Sequence, residues 1–333
     1  MVATLKDVAE RAGVSRSAVS RAFTEGASVS GRTRQKVYAA AEELGYSPNA
    51  LASGLTTGRT KLVGLVSDNF HNPLFLEIFD LFTRGLQSRG LRPLLVNLSG
   101  ERDPQNSLRM LRQYSVDGVI VASSTLPPDF TRSFRGATIP IVHSFGRKAE
   151  KPDVHVVGID NHACGAMAAR TLLARGYTSL GFLGGPEEAT STQDRLAGFL
   201  QVLKGRKGIS VTHSFADGYA FTAGREEMLR LLSGDPAEAY FCGDDVLSVG
   251  ALSALQTLGM SAPADVGIIG LNDMEMASWP NINLSTIRQP IEDIIDASIE
   301  LIVNMLDDPE RMPESRLFRC DVIERGTLRP IVA

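Results

Sequence analysis

The hydrophobic period of the chain changes once, near residue 60. That change admits a small helical unit followed by a larger α/β body and little else. Before it, every periodic segment is helical. Thr4, with Asp7 three residues on, reads as a capping box, and Leu5, Val8, Ala9 and Ala12 follow at helical spacing. Gly13 ends this helix. Ser15 caps a second over residues 16–23, with Val19 and Phe23 on one face. Ser30 caps a third over residues 31–44, whose buried stripe is Val37, Ala40, Ala41 and Leu44 and whose stop signal is Gly45. Ser47 before Pro48 opens a short helix over residues 49–55, and the polar residues 56–60 form a linker.

After residue 60, short apolar runs alternate with helical stretches. Strands are expected at 62–66, 93–98, 118–122, 140–144 and 154–159, then in a second series at 180–184, 210–213, 240–242 and 266–271. Helices are expected between them, at 75–89, 104–113, 163–175, 195–203, 222–232 and 246–258. Val/Ile/Leu-rich strands with helical crossovers indicate parallel sheets covered on both faces. Two such series imply two doubly wound lobes. Ligands of these sheets bind beyond the carboxyl ends of the strands, so the cleft between the lobes is the expected site.

Charge separates the same two parts. Residues 1–60 hold eight Lys/Arg and five Asp/Glu, and the remainder holds 26 against 33, within a net charge of −4. A basic head on an acidic body suits a polyanionic partner, although a merely solvated basic face has the same composition. The three cysteines, Cys164, Cys242 and Cys320, are widely spaced and odd in number, which fits reduced thiols in the cytoplasm better than a disulfide framework or a zinc finger. The first residues lack the basic start and apolar core of a secretion signal, and no run approaches the roughly 18 apolar residues of a membrane span. Enzyme signatures are missing too. The strand at 62–66 runs into SDNFHNP without a GxGxxG, and neither a GxSxG elbow nor a phosphate loop occurs. Asp244 and Asp245 are adjacent at a strand end and should point apart. His155, His162 and Cys164 lack metal-ligand spacing. Neither catalysis nor a metal or cofactor is expected.

Several segments are more specific than these periodicities. Residues 4–23, TLKDVAERAGVSRSAVSRAF, and 29–55, VSGRTRQKVYAAAEELGYSPNALASGL, resemble the helix-turn-helix head and hinge of the LacI family of bacterial transcriptional regulators. RLAGF (195–199), DDVLSVGAL (244–252), GLND (270–273) and LSTIRQP (284–290) resemble that family's periplasmic-binding-protein-like body. The resemblance implies a head at 1–46, a hinge helix and linker at 47–60, and an effector-binding and dimerisation body at 61–333. The first lobe would hold about 61–160 plus 291–319, and the second about 161–290 plus 320–333.

In a helix-turn-helix the second helix enters the major groove with its first residues against base edges. Here these are Ser15, Arg16, Ser17 and Ala18, with Arg21 a turn later, and Arg16 has the fork to grip a guanine. The resemblance makes Arg16 and Ser17 the base-selecting pair. It adds Thr4, Ser20, Arg21, Ser30 and Thr33 as DNA contacts, with Asn49, Ala52 and Leu55 from the hinge. Leu55 would wedge into the minor groove. In the body, Arg195 matches the family's effector-gripping arginine. Asn272 stands where relatives carry aspartate, Asp244 where sugar-responsive relatives have asparagine, and Tyr219 near a stacking aromatic. Asn69, Phe70, Asn72, Leu74 and Phe75 follow the first strand and should face the cleft, although Phe75 suits the core equally. Ser123 and Ser124 should join them, and Asp160 should serve the lobe crossover. The implied function is a dimeric regulator, first of all a repressor, of a palindromic double-stranded operator. A sugar or sugar acid is the first expectation for the effector; a nucleobase or another metabolite is open, as is whether it releases or promotes DNA binding. Only eight residues follow Arg325, without a leucine heptad, so a dimer is expected rather than a tetramer. A binding protein or enzyme of the same body fold, without regulatory DNA binding, is the alternative.

Overall fold

A computed structural model describes residues 3–24, 26–48, 54, 58–99, 104–126, 139–309 and 311–331, with backbone alone at 104 and 105. The chain divides into two compact units, Met1–Lys61 and Leu62–Ala333.

In the first unit, α1 (Leu5–Ala12), α2 (Arg16–Phe23) and α3 (Gly31–Leu44) start and stop where the caps predict. The Thr4 backbone N–H donates to Asp7 Oδ2 at 2.7 Å, closing the capping box. Ser15 Oγ accepts from the Ala18 N–H at 3.2 Å, and Ser30 Oγ from the Thr33 N–H at 3.1 Å. The turn between α1 and α2 depends on Gly13, whose φ of 63° is open to glycine at little cost. Val8, Ala9, Val19, Ala22, Val37, Ala40 and Ala41 form the core, against which the half-buried Phe23 packs. Of the expected helix at 49–55 only Gly54 falls among the described residues, so its extent lies outside them.

The second unit contains two six-stranded sheets. The first is built from β1 (Leu62–Ser67), β2 (Arg92–Asn97), β3 (Gly118–Ala122), β4 (Ile141–Ser144), β5 (His155–Ile159) and β11 (Ser315–Phe318), in the order β11-β5-β4-β3-β1-β2. All of its pairs are parallel, with Leu65 opposite Leu95 on one side and Ile120 on the other. The second holds β6 (Ser179–Gly184), β7 (Ser210–Phe215), β8 (Ala239–Cys242), β9 (Gly267–Asn272), β10 (Ser285–Arg288) and β12 (Asp321–Ile323), in the order β12-β10-β9-β8-β6-β7. Only β12 runs antiparallel there. The interior strands β3, β4, β5, β8 and β9 are buried along their whole length, which is why they read as continuous apolar runs. The strands β10, β11 and β12 add to the expected series. They are three or four residues long, and β11 and β12 are half-exposed edges without an apolar run to announce them.

Helices cover both sheets: α4 (Leu74–Ser88), α5 (Pro104–Gln113), α6 (Asn161–Leu173), α7 (Thr190–Leu203), α8 (Phe221–Leu232), α9 (Asp245–Thr257) and α10 (Ile291–Asp307). The chain passes between the lobes three times. It crosses at Asp160, from β5 into α6; at residues 289–290, from β10 into α10, which packs back on β3, β4 and β5; and at residues 319–320, from β11 into β12. The pairs α6–α7 and α8–α9 are the most intimate helix contacts of the body. A Cβ at Gly165 would strike the Arg195 carbonyl, and one at Gly198 the His162 carbonyl; Gly224 and Gly250 do the same for Leu247 and Phe221 across α8 and α9. Side-chain-free crossings of this kind let helix backbones touch.

The substitution Gly198→Ala should therefore force α6 and α7 apart and destabilise the chain by about 1–3 kcal/mol in urea unfolding. Gly218→Ala, at a position where nothing lies within 4 Å, should stay within about 0.5 kcal/mol of the parent. Equal effects at the two positions would mean that the crossing is not under steric constraint.

Candidate functional site

Two surfaces gather the residues singled out from the sequence. On the helical unit, Ser15, Arg16, Ser17, Ser20 and Arg21 of the α2 segment are all exposed, as are Thr4 and Ser30; Thr33 is half-buried. Ser15 and Ser17 share a hydrogen bond of 2.9 Å, and Ser30 and Thr33 one of 2.8 Å. The cations divide sharply. Lys6 is paired with Glu10 and Arg11 with Glu43, whereas among the described residues no acid engages Arg16 or Arg21. Two unneutralised guanidinium groups on one short helix form a basic edge that α2 presents to solvent. Asn49, Ala52 and Leu55 lie outside the described residues.

The second surface is the cleft between the lobes, at the carboxyl ends of both sheets. Its free interior is about 20 Å³, room for little more than one water, so the two walls stand close together. The first lobe contributes Asn69 and Asn72 from the loop after β1, and Leu74, Phe75 and Ile78 from the start of α4. It adds Ser124 and Phe145 from beyond β3 and β4, and Ile159 at the end of β5. Across the cleft stand Asn161, Arg195, Tyr219, Asp244, Asn272 and Gln289.

A buried carboxylate organises this wall. Asp244 caps α9, its Oδ1 accepting the Val246 N–H at 2.8 Å. Its Oδ2 accepts from Asn272 Nδ2 at 2.9 Å and, from the opposite lobe, from Asn72 Nδ2 at 3.0 Å. Gln289 Nε2 in turn donates to Asn272 Oδ1 at 2.7 Å. Burial pushes the Asp244 carboxyl above its ordinary pKa, while the Val246 N–H, the Arg195 charge and the two amides pull it back. Arg195 is only 4 % exposed. Its Nε donates to Asn161 Oδ1 at 2.8 Å and its Nη1 to the Gly243 carbonyl at 2.5 Å, which fixes the guanidinium plane. The Tyr219 hydroxyl bonds Ser191 and Thr192 at 3.1 and 2.8 Å, leaving its ring to the cavity. Asn272 has a φ of 125°, a strained backbone for a residue with a side chain. Two further contacts tie the lobes beside the cleft. Arg147 grips Asp194 with two bonds, of 3.0 and 2.6 Å, and Thr190 Oγ1 donates to the Ser124 carbonyl at 3.2 Å.

The expected residues Asn69, Asn72, Leu74, Phe75, Arg195, Tyr219, Asp244 and Asn272 all meet here. Phe75 fills both of its expected roles, lining the cavity and packing in the main core. Phe70 and Ser123 do not line it. The Phe70 ring stacks on Phe79 at 4.7 Å, drawn to the apolar face of α4. Ser123 is buried beneath its own loop, where its Oγ accepts the Thr125 and Leu126 N–H groups, and Ser124 takes the cleft position. Asp160 caps α6 through the Ala163 N–H at 3.0 Å and holds Lys148 at 2.8 Å, as befits a crossover. Ile78, Phe145, Ile159, Asn161 and Gln289 were not anticipated. Asn161 and Gln289 sit at crossovers, so locating those in sequence would have found them; Phe145 depends on a φ of 62° that no pattern announces.

Asp244 and Asp245 do point apart. Asp245 turns under the sheet, accepting from Thr286 Oγ1 at 2.6 Å and the Met274 N–H at 2.8 Å, and burial pushes its pKa up to about 7. Among the described residues no group of His, Cys, Asp and Glu can hold a metal, and no helix is long and apolar enough to cross a membrane. Because the folded state holds the Asp245 proton more tightly than the unfolded chain, its contribution to stability is largest at low pH. That contribution falls as pH rises from about 4 to about 7. Asp245→Asn should flatten this part of the profile, measured as urea unfolding across that range. An unchanged slope would assign it to other groups.

Residues 4–49 match the family described as "Bacterial regulatory proteins, lacI family", and residues 169–328 the "Periplasmic binding protein-like domain". The chain is 34% identical over 319 residues to the HTH-type transcriptional repressor PurR of Proteus mirabilis, covering 93% of each protein. Its fold matches the lac repressor dimer bound to operator and the anti-inducer ONPF, with a TM-score of 0.88 at 22% identity, over 99% of this chain and 100% of that one. It also matches the transcriptional regulator CelR in complex with cellobiose, with a TM-score of 0.71 at 27% identity, over 98% and 99%.

Proposed function

This chain belongs to the lacI family of bacterial regulatory proteins, and we propose that it binds a palindromic operator as a cytoplasmic homodimer and changes its hold on that DNA when a small molecule, a sugar or sugar acid, fills the cleft. It is a transcriptional repressor with a helix-turn-helix DNA-binding head. The observation that carries the proposal is the conjunction of an α2 edge whose Arg16 and Arg21 have no acidic partner among the described residues with a cleft that buries both Arg195 and Asp244. In this reading α2 enters the major groove. Arg16 and Ser17 read bases, and Thr4, Ser15, Ser20, Arg21, Ser30 and Thr33 hold the backbone and neighbouring edges. Asn49, Ala52 and Leu55 of the hinge take the minor groove, Leu55 as the wedge.

The cleft suits a polyhydroxyl ligand on chemical grounds. A carboxylate at Asp244, amides at Asn69, Asn72, Asn161, Asn272 and Gln289 and the Arg195 fork supply donors and acceptors together, and Phe75, Phe145 and Tyr219 supply flat apolar faces. CelR, similar in fold, has a solved structure in complex with cellobiose. No step of this function needs catalysis. For the homodimer, large apolar side chains stand exposed on both lobes, among them Leu76 and Leu95 on the first and Leu258 and Trp279 on the second. A two-fold pair of heads then requires a two-fold operator.

Reciprocal variants test the assignment. Arg16→Ala should weaken operator binding by about 1–3 kcal/mol and random-sequence DNA much less, in footprinting at fixed salt. Equal losses on both would reduce Arg16 to a phosphate contact. A thermal-shift screen of the full chain with sugars and sugar acids identifies the effector. Arg195→Ala should lose about 2–4 kcal/mol of affinity for it by calorimetry while still footprinting the operator. Unchanged ligand affinity in that variant would move the effector site elsewhere.

A further inference from the structure

Two of the three cysteines meet where the lobes are joined. Cys164 lies in the first turn of α6, just past the first crossover, and Cys320 lies on the third crossover itself. They are separated by more than 150 residues of chain. Cys320 nevertheless packs against the buried cluster that contains Cys164, and because β11 lies beside β5 with Phe318 opposite Ile159, the two crossovers that carry these cysteines start from adjacent positions. Both are free. Cys164 is 2% exposed and Cys320 is half-buried, so Cys320 is the solvent-facing side of the pair. The neighbouring Cys320 thiol and the charge of Arg195 favour the thiolate at Cys164, and Cys320 keeps its proton correspondingly firmly. Cys242 offers a contrast within the same chain. It is fully buried in β8 and burial pushes its pKa up to about 12.

We propose that Cys164 and Cys320 are a redox-modification site, a dithiol that a small peroxide converts reversibly into a disulfide between α6 and the third crossover. The Cys164 thiolate attacks one peroxide oxygen; the O–O bond breaks and the leaving hydroxide takes up a proton as water. Cys164 is then a sulfenic acid. The Cys320 sulfur attacks it, the S–O bond breaks, and the departing hydroxide leaves as water with the Cys320 proton. Two thiols and one hydrogen peroxide give one disulfide and two waters, and a thiol reductant reverses the bridge. The bond would reach the cleft by a short route. The first turn of α6 also carries Asn161, which holds Arg195. The third crossover is one of only three strands of chain that must flex when the lobes rotate.

The test uses the full chain and hydrogen peroxide. After treatment, remaining thiols are blocked with N-ethylmaleimide, and the protein is digested and analysed by mass spectrometry. The expected product joins the Cys164 and Cys320 peptides within one chain, and dithiothreitol separates them. Cys242 becomes alkylated only after denaturation. In thermal unfolding the oxidised chain should melt several degrees above the reduced one. Cys320→Ala should show neither the bridge nor the shift. Cys164 and Cys320 both recovered as alkylated thiols, a bridge involving Cys242, or bridges only between separate chains would each overturn the proposal.

Discussion

The architecture of the cleft rests on how closely two helices approach. Gly165 of α6 faces the Arg195 carbonyl of α7, and Gly198 of α7 faces the His162 carbonyl of α6. With no side chain at either crossing, the two backbones come into direct contact. Arg195 and Asn161 are thereby brought within a hydrogen bond of each other from separate helices. A guanidinium held at Nε and Nη1 has surrendered much of its rotamer freedom before any ligand arrives. The same device recurs in α8 and α9, where Gly224 and Gly250 let the helices touch, and α9 begins at the capping carboxylate of Asp244. Packing of small residues, remote from any polar chemistry, thus sets the positions of both charged groups in the cavity.

Asp244 illustrates how a buried charge is tolerated. Its desolvation is offset by an N-cap bond, two amide donors and the nearby Arg195. One of those donors, Asn72, comes from the other lobe. The network therefore does two jobs at once: it satisfies a carboxylate and it ties the lobes together. Arg147 and Asp194 tie them again nearer the surface, with the bidentate geometry that makes an exposed pair worth more than a point contact. Any ligand that takes over the donors of Asp244 must supply equivalent bonds or leave the carboxylate unpaired.

Much of this was legible in the sequence because it depends on local rules. Thr4, Ser15 and Ser30 announce three helices by side-chain chemistry that acts within one turn, and fully buried strands announce themselves as apolar runs. The cleft residues followed from the position of the strand ends and from short motifs. The misses have a common origin in geometry that spans long separations. β11 and β12 are short edges recruited from the far end of the chain, and Asn161 and Gln289 matter only because crossovers bring them to the mouth of the opposite lobe. Ser123 and Ser124 differ by one residue, and the turn after β3 decides which of them faces the cleft. Phe70 had an apolar neighbour, Phe79, on the next helix, which outcompeted the cavity for its ring.

The threefold passage between the lobes also bears on how the protein is made. A ribosome delivers the helical head and the first five strands of one sheet early, yet β11, the edge that completes that sheet beside β5, emerges only after β6 to β10 of the second lobe have been synthesised. The backbone of β5, fully buried in the finished molecule, must wait through the whole of that interval with an unpaired side. Vectorial synthesis therefore leaves a parallel sheet open at one margin while the DNA-binding unit is already free to fold, and the final few residues of the body close both lobes almost together.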